Sequence, residues 1–279
     1  MGTLMETGAP AKPVAPTQEA AAGPAKLRLE NVQLTYQSTG KTVTAIESIS
    51  LDVAPDEFAV IVGPSGCGKS SLLYLIAGLA ERTGGKILLD GRDVGRPGAD
   101  RGMVFQSYTL FPWLTVRQNV EFGLVRRKVP PAERDDIVNH YLNVTGLAQF
   151  HQSYPKELSG GMQQRVAIIR AMANDPAILL MDEPFGALDA QTRVVMQELL
   201  LKVWDGARKT VLFVTHDIDE AVLLADRIYV MSARPGRLKE VIDVSIPRPR
   251  SPEMSSEPEF LALKRRIQQL LRNEEGDPH

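Results

Sequence analysis

The sequence predicts an α/β fold: a mostly parallel sheet covered by helices on both faces, with an N-terminal antiparallel β subdomain and an inserted helical subdomain. Three observations carry that expectation. Strand-sized, continuously apolar runs (FAVIV at 58–62, AILLM at 177–181, VLFV at 211–214) alternate with helical stretches, as in a buried parallel sheet. Two earlier segments, KLRLENVQLTY (26–36) and AIESISLDV (45–53), alternate apolar and polar residues as half-buried antiparallel strands do. Between residues 107 and 165 the pattern turns helical.

Taken in order, residues 1–25 are rich in Ala, Pro, Gly and Thr without a secretory apolar core, and read as a disordered leader. The two alternating strands follow. FAVIVG (58–63) is then a buried strand, leading through a glycine-rich loop into the apolar helix SSLLYLIAGLA (70–80). A short strand ends at Gln106, and helices over 116–126 and 131–145 follow, the latter with Ile137, Tyr141, Leu142 and Val144 at mixed three- and four-residue spacings. LSGGM (158–162) opens a long helix. AILLMDE (177–183), a helix over about 190–207, TVLFVTHD (210–217), a helix over about 218–225 and RIYVMS (227–232) complete the alternation. After Ile246 comes PRPRSPEMSSEPE, read as a flexible link, and then an amphipathic helix with Phe260, Leu263, Ile267 and Leu270 on one face. The organisation is a leader over 1–25, an α/β domain over 26–246 with its helical subdomain over about 107–165, and a linker and C-terminal helix over 247–279.

Composition removes several function classes. A formal net charge of −2 with 24% charged residues lacks the basic footprint of a nucleic-acid binder. Cys67 is the only cysteine, which excludes an intrachain disulfide and suits a reducing compartment. The longest apolar runs fall far below the ~18 residues of a membrane-spanning helix.

GPSGCGKS at 63–70 places a Gly, four residues, then Gly-Lys-Ser between a strand and a helix, the context of a phosphate-binding loop. Gly63, Gly66 and Gly68 let successive amides point at phosphate oxygens, and the helix adds its positive end. The fold class is therefore a P-loop NTPase core. Lys69 would reach the β- and γ-phosphates, and the Ser70 hydroxyl would ligate Mg²⁺. Asp182 ends a very apolar strand, where a carboxylate is costly without a cation, so it is expected to face the metal. Glu183 follows, placed to orient or deprotonate an attacking water. His216 ends the next apolar strand; alone it would more often be structural, but the carboxyl edge of a parallel sheet is where ligands bind. Gln106 ends another strand and could sense metal or water through its amide. In LSGGM, Ser159 reads as an N-cap and Gly160 and Gly161 as exposed amides, a second anion site. Cys67 reads either as an inert small residue or as an oxidation-sensitive thiol at a helix start.

This ordered set resembles the nucleotide-binding subunit of ATP-binding cassette (ABC) transporters, over about residues 26–245. The resemblance implies ATP and Mg²⁺ as cofactors. It places ATP on Gly63, Pro64, Ser65, Gly66, Cys67, Gly68, Lys69, Ser70 and Ser71, with Tyr36 stacked on adenine. Metal contacts fall to Ser70, Gln106 and Asp182, and catalysis to Glu183 with His216 and Gln106. The signature Leu158, Ser159, Gly160, Gly161 and Met162 acts on ATP held by a second subunit, which accounts for two anion sites in one chain; Asp189 lies in the adjoining D-loop. Met162 departs from the family's usual Gln.

Segments 105–124, 158–165 and 214–237 are similar more narrowly to the importer subfamily for nitrate, aliphatic sulfonates and taurine. That likeness implies a homodimer, or a pair with a homologous ATPase subunit, on the cytoplasmic face of a bacterial inner membrane. The implied partners are integral membrane permease subunits and, through them, a periplasmic or lipid-anchored substrate-binding protein, with no nucleic acid. Phe111, Pro112 and Trp113 lie where such subunits dock their membrane partner, or else form a local aromatic turn. The competing reading is a soluble cassette ATPase acting on nucleic acid or ribosomes, which usually carries paired cassettes or coiled coils; this chain shows one cassette and no heptad run. A GTPase or small-molecule kinase would share the phosphate loop but leave LSGGM without a role.

Overall fold

The computed structural model describes residues 24–38 and 40–272; nearly all of the expected leader and the last seven residues lie outside it. Strands β1 (Leu27–Ser38) and β2 (Lys41–Val53) pair antiparallel, with Leu29 opposite Leu51 and Tyr36 opposite Val43. Strand β3 (Phe58–Val62) is buried along its whole length and runs into helix α1 (Lys69–Ala77). Strands β4 (Gly84–Leu89) and β5 (Arg92–Asp93) extend the antiparallel side, and β6 (Arg101–Val104) returns to the parallel side.

Helices α2 (Val116–Arg126), α3 (Pro131–Val144) and α4 (Gly160–Ala173) follow. The start of α2 is a capping box: Thr115 Oγ accepts from the Gln118 amide, and Gln118 Oε1 accepts from the Thr115 amide. Next come β7 (Ile178–Asp182), α5 (Ala190–Ala207), β8 (Val211–Thr215), α6 (Ile218–Leu224), β9 (Arg227–Met231), β10 (Gly236–Asp243) and α7 (Pro258–Arg272).

All ten strands form one sheet in the order β5-β4-β1-β2-β10-β9-β3-β8-β7-β6, parallel from β9 through β6. Side-chain alternation along the buried strands feeds two cores. Phe58, Val60 and Val62 face α5, α6 and α7 on one side, while Ala59 and Ile61 face α1 and the β1–β2 pair on the other. A third cluster, built on Val120, Leu124, Val138, Leu142 and Val166, gives the helical insertion its own core. Helix α4 contributes to two of them: Ile168 and Met172 join the sheet core, Val166 and Ile169 the helical one.

The expected tail helix forms, and Phe260 and Ile267 of its apolar face are buried in the sheet core. Its link is fastened rather than flexible. Arg250, only 7% exposed, donates to the carbonyls of Ile246 and Ala225, and Arg248 donates to Leu224 O at 2.7 Å and Asp226 at 2.8 Å. These guanidiniums satisfy carbonyls at the end of α6 that would otherwise lack partners. Strands β4, β5 and β10 were not foreseen from the sequence.

Candidate active site

The parallel strands deliver their chemistry at one edge. Beyond the carboxyl ends of β3, β6, β7 and β8 stand, respectively, the glycine-rich loop, Gln106, Glu183 and His216, with Asp182 the last residue of β7 itself. A sheet edge of this kind concentrates side chains from distant parts of the chain, because neighbouring strands are only about 4.8 Å apart.

The loop curls over this edge. Gly66 (φ 76°) and Gly68 (φ 102°) occupy the left-handed region, which a Cβ would strain. Gly68 is also the N-cap of α1 and offers no side-chain acceptor, so the first amides of the helix remain for a ligand. Lys69 is buried at 4% exposure and its Nζ donates to the carbonyls of Gly63 (2.8 Å) and Pro64 (2.9 Å). Ser70 Oγ donates to Asp182 Oδ1 at 2.7 Å. Burial pushes the Asp182 carboxyl above its ordinary range, against the pull of the Ser70 and Tyr74 hydroxyls; Glu183 adds to the rise and Lys69 opposes it. A nearly inaccessible carboxylate beside a serine hydroxyl is a hard-oxygen pair suited to Mg²⁺, which takes few protein ligands and completes its shell with water and phosphate. The residues present therefore fit that ion.

Glu183 sits at φ 41°, strained for a residue with a side chain and held by its amide bond to Val214 O at 2.9 Å. Its Oε2 meets His216 Nδ1 at 2.9 Å, and its Oε1 lies 4.0 Å from Lys69 Nζ. The site thus holds a carboxylate between an imidazole and an ammonium, in position to accept a proton from water.

A cavity of about 380 Å³ opens over these groups, lined by Lys69, Ser70, Gln106 and Glu183 on one wall and Tyr36, Val43 and Ala45 on another. Tyr36 is 48% exposed, and its hydroxyl lies 3.2 Å from Ser71 Oγ, which leaves a ring available for stacking. Arg234, between β9 and β10, also lines the cavity and donates to Gly66 O at 3.2 Å. It belongs to no motif, and only the pairing of β9 with β3 brings it here. Tyr74 beside Asp182 was likewise missed, since its place on α1 looks like ordinary core spacing.

The second glycine-rich start lies elsewhere. Ser159 caps α4, its Oγ accepting from the Met162 amide at 3.3 Å; Leu158 is buried, and Met162 packs against the helical core. A Cβ on Gly160 would meet the Tyr108 hydroxyl at 2.8 Å, and one on Gly161 the Thr192 methyl at 2.6 Å. None of the five signature residues lines the cavity. Asp189 caps α5, and the hydrogen bonds from the Thr192 amide and hydroxyl hold its carboxyl below the ordinary range. The Cys67 thiol is turned into the core at 1% exposure, so the structure favours its reading as a small packed residue.

Beside Gln106 a groove of about 480 Å³ runs between the sheet edge and the helical subdomain, lined by Phe105, Phe111, Phe122, Arg126 and Arg170 among others. Phe111 stacks on Phe122 at 4.5 Å, and Trp113 is 69% exposed.

Comparison with known proteins now adds its weight. The profile of the ABC transporter family matches residues 46–186. The nitrate import ATP-binding protein NrtD of Synechocystis is 48% identical over 259 residues, covering 90% of this chain and 97% of that one. The aliphatic sulfonates import ATP-binding protein SsuB of Bacillus cereus is 44% identical over 241 residues, 86% of this chain and 94% of that one. Among solved structures, the dimeric post-hydrolysis state of the cassette MJ0796 with ADP and Pi superposes with a TM-score of 0.70 at 34% identity, covering 79% of this chain and 99% of that one.

Proposed function

The chain belongs to the ABC transporter family and is an ABC-type ATPase, and from that premise we propose that it energises import of a small oxyanion, nitrate, an aliphatic sulfonate or taurine, through a separate membrane permease. The observation that carries this reading is the split site: Lys69, Ser70, Asp182, Glu183 and His216 share one sheet edge, while the second phosphate-binding helix start lies outside the cavity that Lys69, Ser70 and Glu183 line. Two copies packed head to tail would bring the Ser159 and Gly161 of one onto the ATP held by the other. The dimeric cassette to which the chain is similar supports such a pairing.

In this reading the Lys69 ammonium exchanges its two carbonyl partners for β- and γ-phosphate oxygens, and Tyr36 stacks on adenine. Ser70 and Asp182 would hold Mg²⁺, with Gln106 beside them; such an ion would supply charge neutralisation to the β- and γ-phosphates. Glu183 takes a proton as the oxygen of water attacks the γ-phosphorus and the bond to the β,γ-bridging oxygen breaks, releasing ADP and phosphate. His216 fixes the Glu183 carboxylate through its Nδ1 contact. The groove with Phe111, Phe122 and exposed Trp113 receives the permease, so the subunit works peripherally on the cytoplasmic face of the membrane. No helix of the described residues is long and apolar enough to cross a membrane.

The test is co-purification with an integral membrane permease, followed by uptake in vesicles. Nitrate or sulfonate uptake should require ATP. Glu183→Gln should retain ATP, trap a closed dimer and lower hydrolysis by about 10² to 10⁴, the usual worth of a positioned base. Binding to DNA or ribosomes without a membrane partner would replace this reading with the soluble one.

A further inference from the structure

Arg193 stands one turn into α5, behind the turn that carries Asp189, and does not line the nucleotide cavity. Its three nitrogens nevertheless reach two parts of the active edge. Nη2 donates to Leu188 O at 3.2 Å, in the Asp189 turn, and Nη1 donates to Asp217 Oδ2 at 3.3 Å, at the start of α6. Nε faces Glu220 Oε1 at 3.8 Å.

Those carboxylates hold both neighbours of His216. Glu220, 4% exposed, accepts from Thr215 Oγ1 at 2.7 Å and from Gln197 Nε2 at 3.3 Å. Thr215 Oγ1 in turn accepts the Asp217 amide at 2.9 Å, and Asp217 Oδ1 caps α6 by accepting the amides of Asp219 and Glu220. Burial pushes the Glu220 carboxyl up, while Thr215, Arg193 and Gln197 pull it back and Asp217 pushes the same way as burial. A buried carboxylate of this kind depends on its cation. The network also has slack: Arg193 Nε is buried yet beyond hydrogen-bond reach of Glu220, so a small shift of the Asp189 turn can tighten it.

We propose that Arg193 is a positioning residue that ties the Asp189 turn to the strand-to-helix junction holding His216. The inference rests on the reading that His216 and Glu183 serve hydrolysis and that a second copy closes on this face. Docking of that copy against the Asp189 turn then moves Leu188 and, through the fixed fork of one guanidinium, Asp217 and Glu220. The His216 backbone follows, because Thr215 and Asp217 flank it in the chain. Assembly thereby adjusts the contact between His216 and Glu183, which already stands at 2.9 Å in the single chain.

The experiment uses the full-length chain with saturating Mg²⁺-ATP. Arg193→Met should lower kcat about ten-fold or more and bring the Hill coefficient for ATP toward one, with KM changed less than about two-fold, as expected for lost coupling rather than lost binding. Arg193→Lys, which keeps the charge without the fork, should recover part of the rate. Asp217→Asn, which keeps an acceptor for the α6 cap, should reproduce the loss, and the double variant should be no worse than the poorer single one. The proposal is overturned if Arg193→Met keeps the wild-type kcat and Hill coefficient, if its loss of rate merely follows its loss of thermal midpoint, or if the two substitutions add. His216→Ala, assayed alongside, separates the levels: a wild-type rate there removes the underlying reading, whereas a slow His216→Ala with an unaffected Arg193→Met overturns the tie alone.

Discussion

Two glycine-rich helix starts, those of α1 and α4, look alike in the sequence and differ in how their first amides are satisfied. At α1 the cap is Gly68, without a side-chain acceptor; Lys69 folds back on two carbonyls, and a cavity lies in front. At α4 the cap is Ser159, whose own Oγ takes the Met162 amide, and a Cβ on either glycine would meet Tyr108 or Thr192. The first is a receptacle lined from within the chain. The second has one amide capped by its own serine and lies outside that receptacle. A glycine cap leaves all of its first donors for a ligand, whereas a serine cap keeps one of them for itself.

The sharpest way to break this comparison is to disable each start in a different copy. Lys69→Ala and Ser159→Arg should each abolish hydrolysis alone. Mixed, they should recover about one quarter of the wild-type rate, since statistical pairing in a two-fold dimer leaves one intact site in half of the molecules. No recovery, with dimers demonstrably formed, would show that both starts serve one chain's own site. A smaller effect belongs to the receptacle alone: Tyr36→Ala should raise KM for ATP about ten-fold through lost base stacking, with kcat nearly unchanged. An unchanged KM in a titration of ATPase rate would remove Tyr36 from the site. The smallest effect is expected at Met162. Its side chain packs against the helical core while its amide makes the cap, so Met162→Gln should alter the steady-state rate by less than about two-fold, within the range of a tolerated, partly buried substitution. A large gain there would mean that the family's usual amide does chemistry that this chain lacks.

What could be read from the sequence follows the same division. FAVIV, ILLM and VLFV are buried at every position, and an uninterrupted apolar run bounded by Gly, Asp or Thr is legible without tertiary information. The polar residues expected at their ends accordingly stand together at one sheet edge. Strand β10 was not, because GRLKEVID alternates charge with apolar residues and gains its place only by pairing antiparallel with β9 and parallel with β2. Strand β4 buries only Ile87 and Leu89, and two-residue β5 carries no pattern at all. The link after Ile246 misled for a physical reason: arginines among prolines look solvated, yet Arg248 and Arg250 are the groups that satisfy the end of α6. Arg193, Arg234 and Tyr74 were invisible because each acts through a partner far away in the chain.

Helix α4 joins two packing units, with Ile168 and Met172 seated on the sheet side and Val166 and Ile169 on the helical side, and it carries Arg170 in its last turn at the aromatic groove and begins beside Ser159. Mechanically it is a stiff beam clamped along its length, so a load applied near Arg170 is delivered at Ser159 with leverage rather than dissipated. Fourteen residues span about 21 Å, and a rotation of ~10° about the far end sweeps the tip by roughly 4 Å, more than the reach of one hydrogen bond. In the proposed assembly, a modest rocking at the groove end would be enough to engage or release a phosphate held by the neighbouring copy.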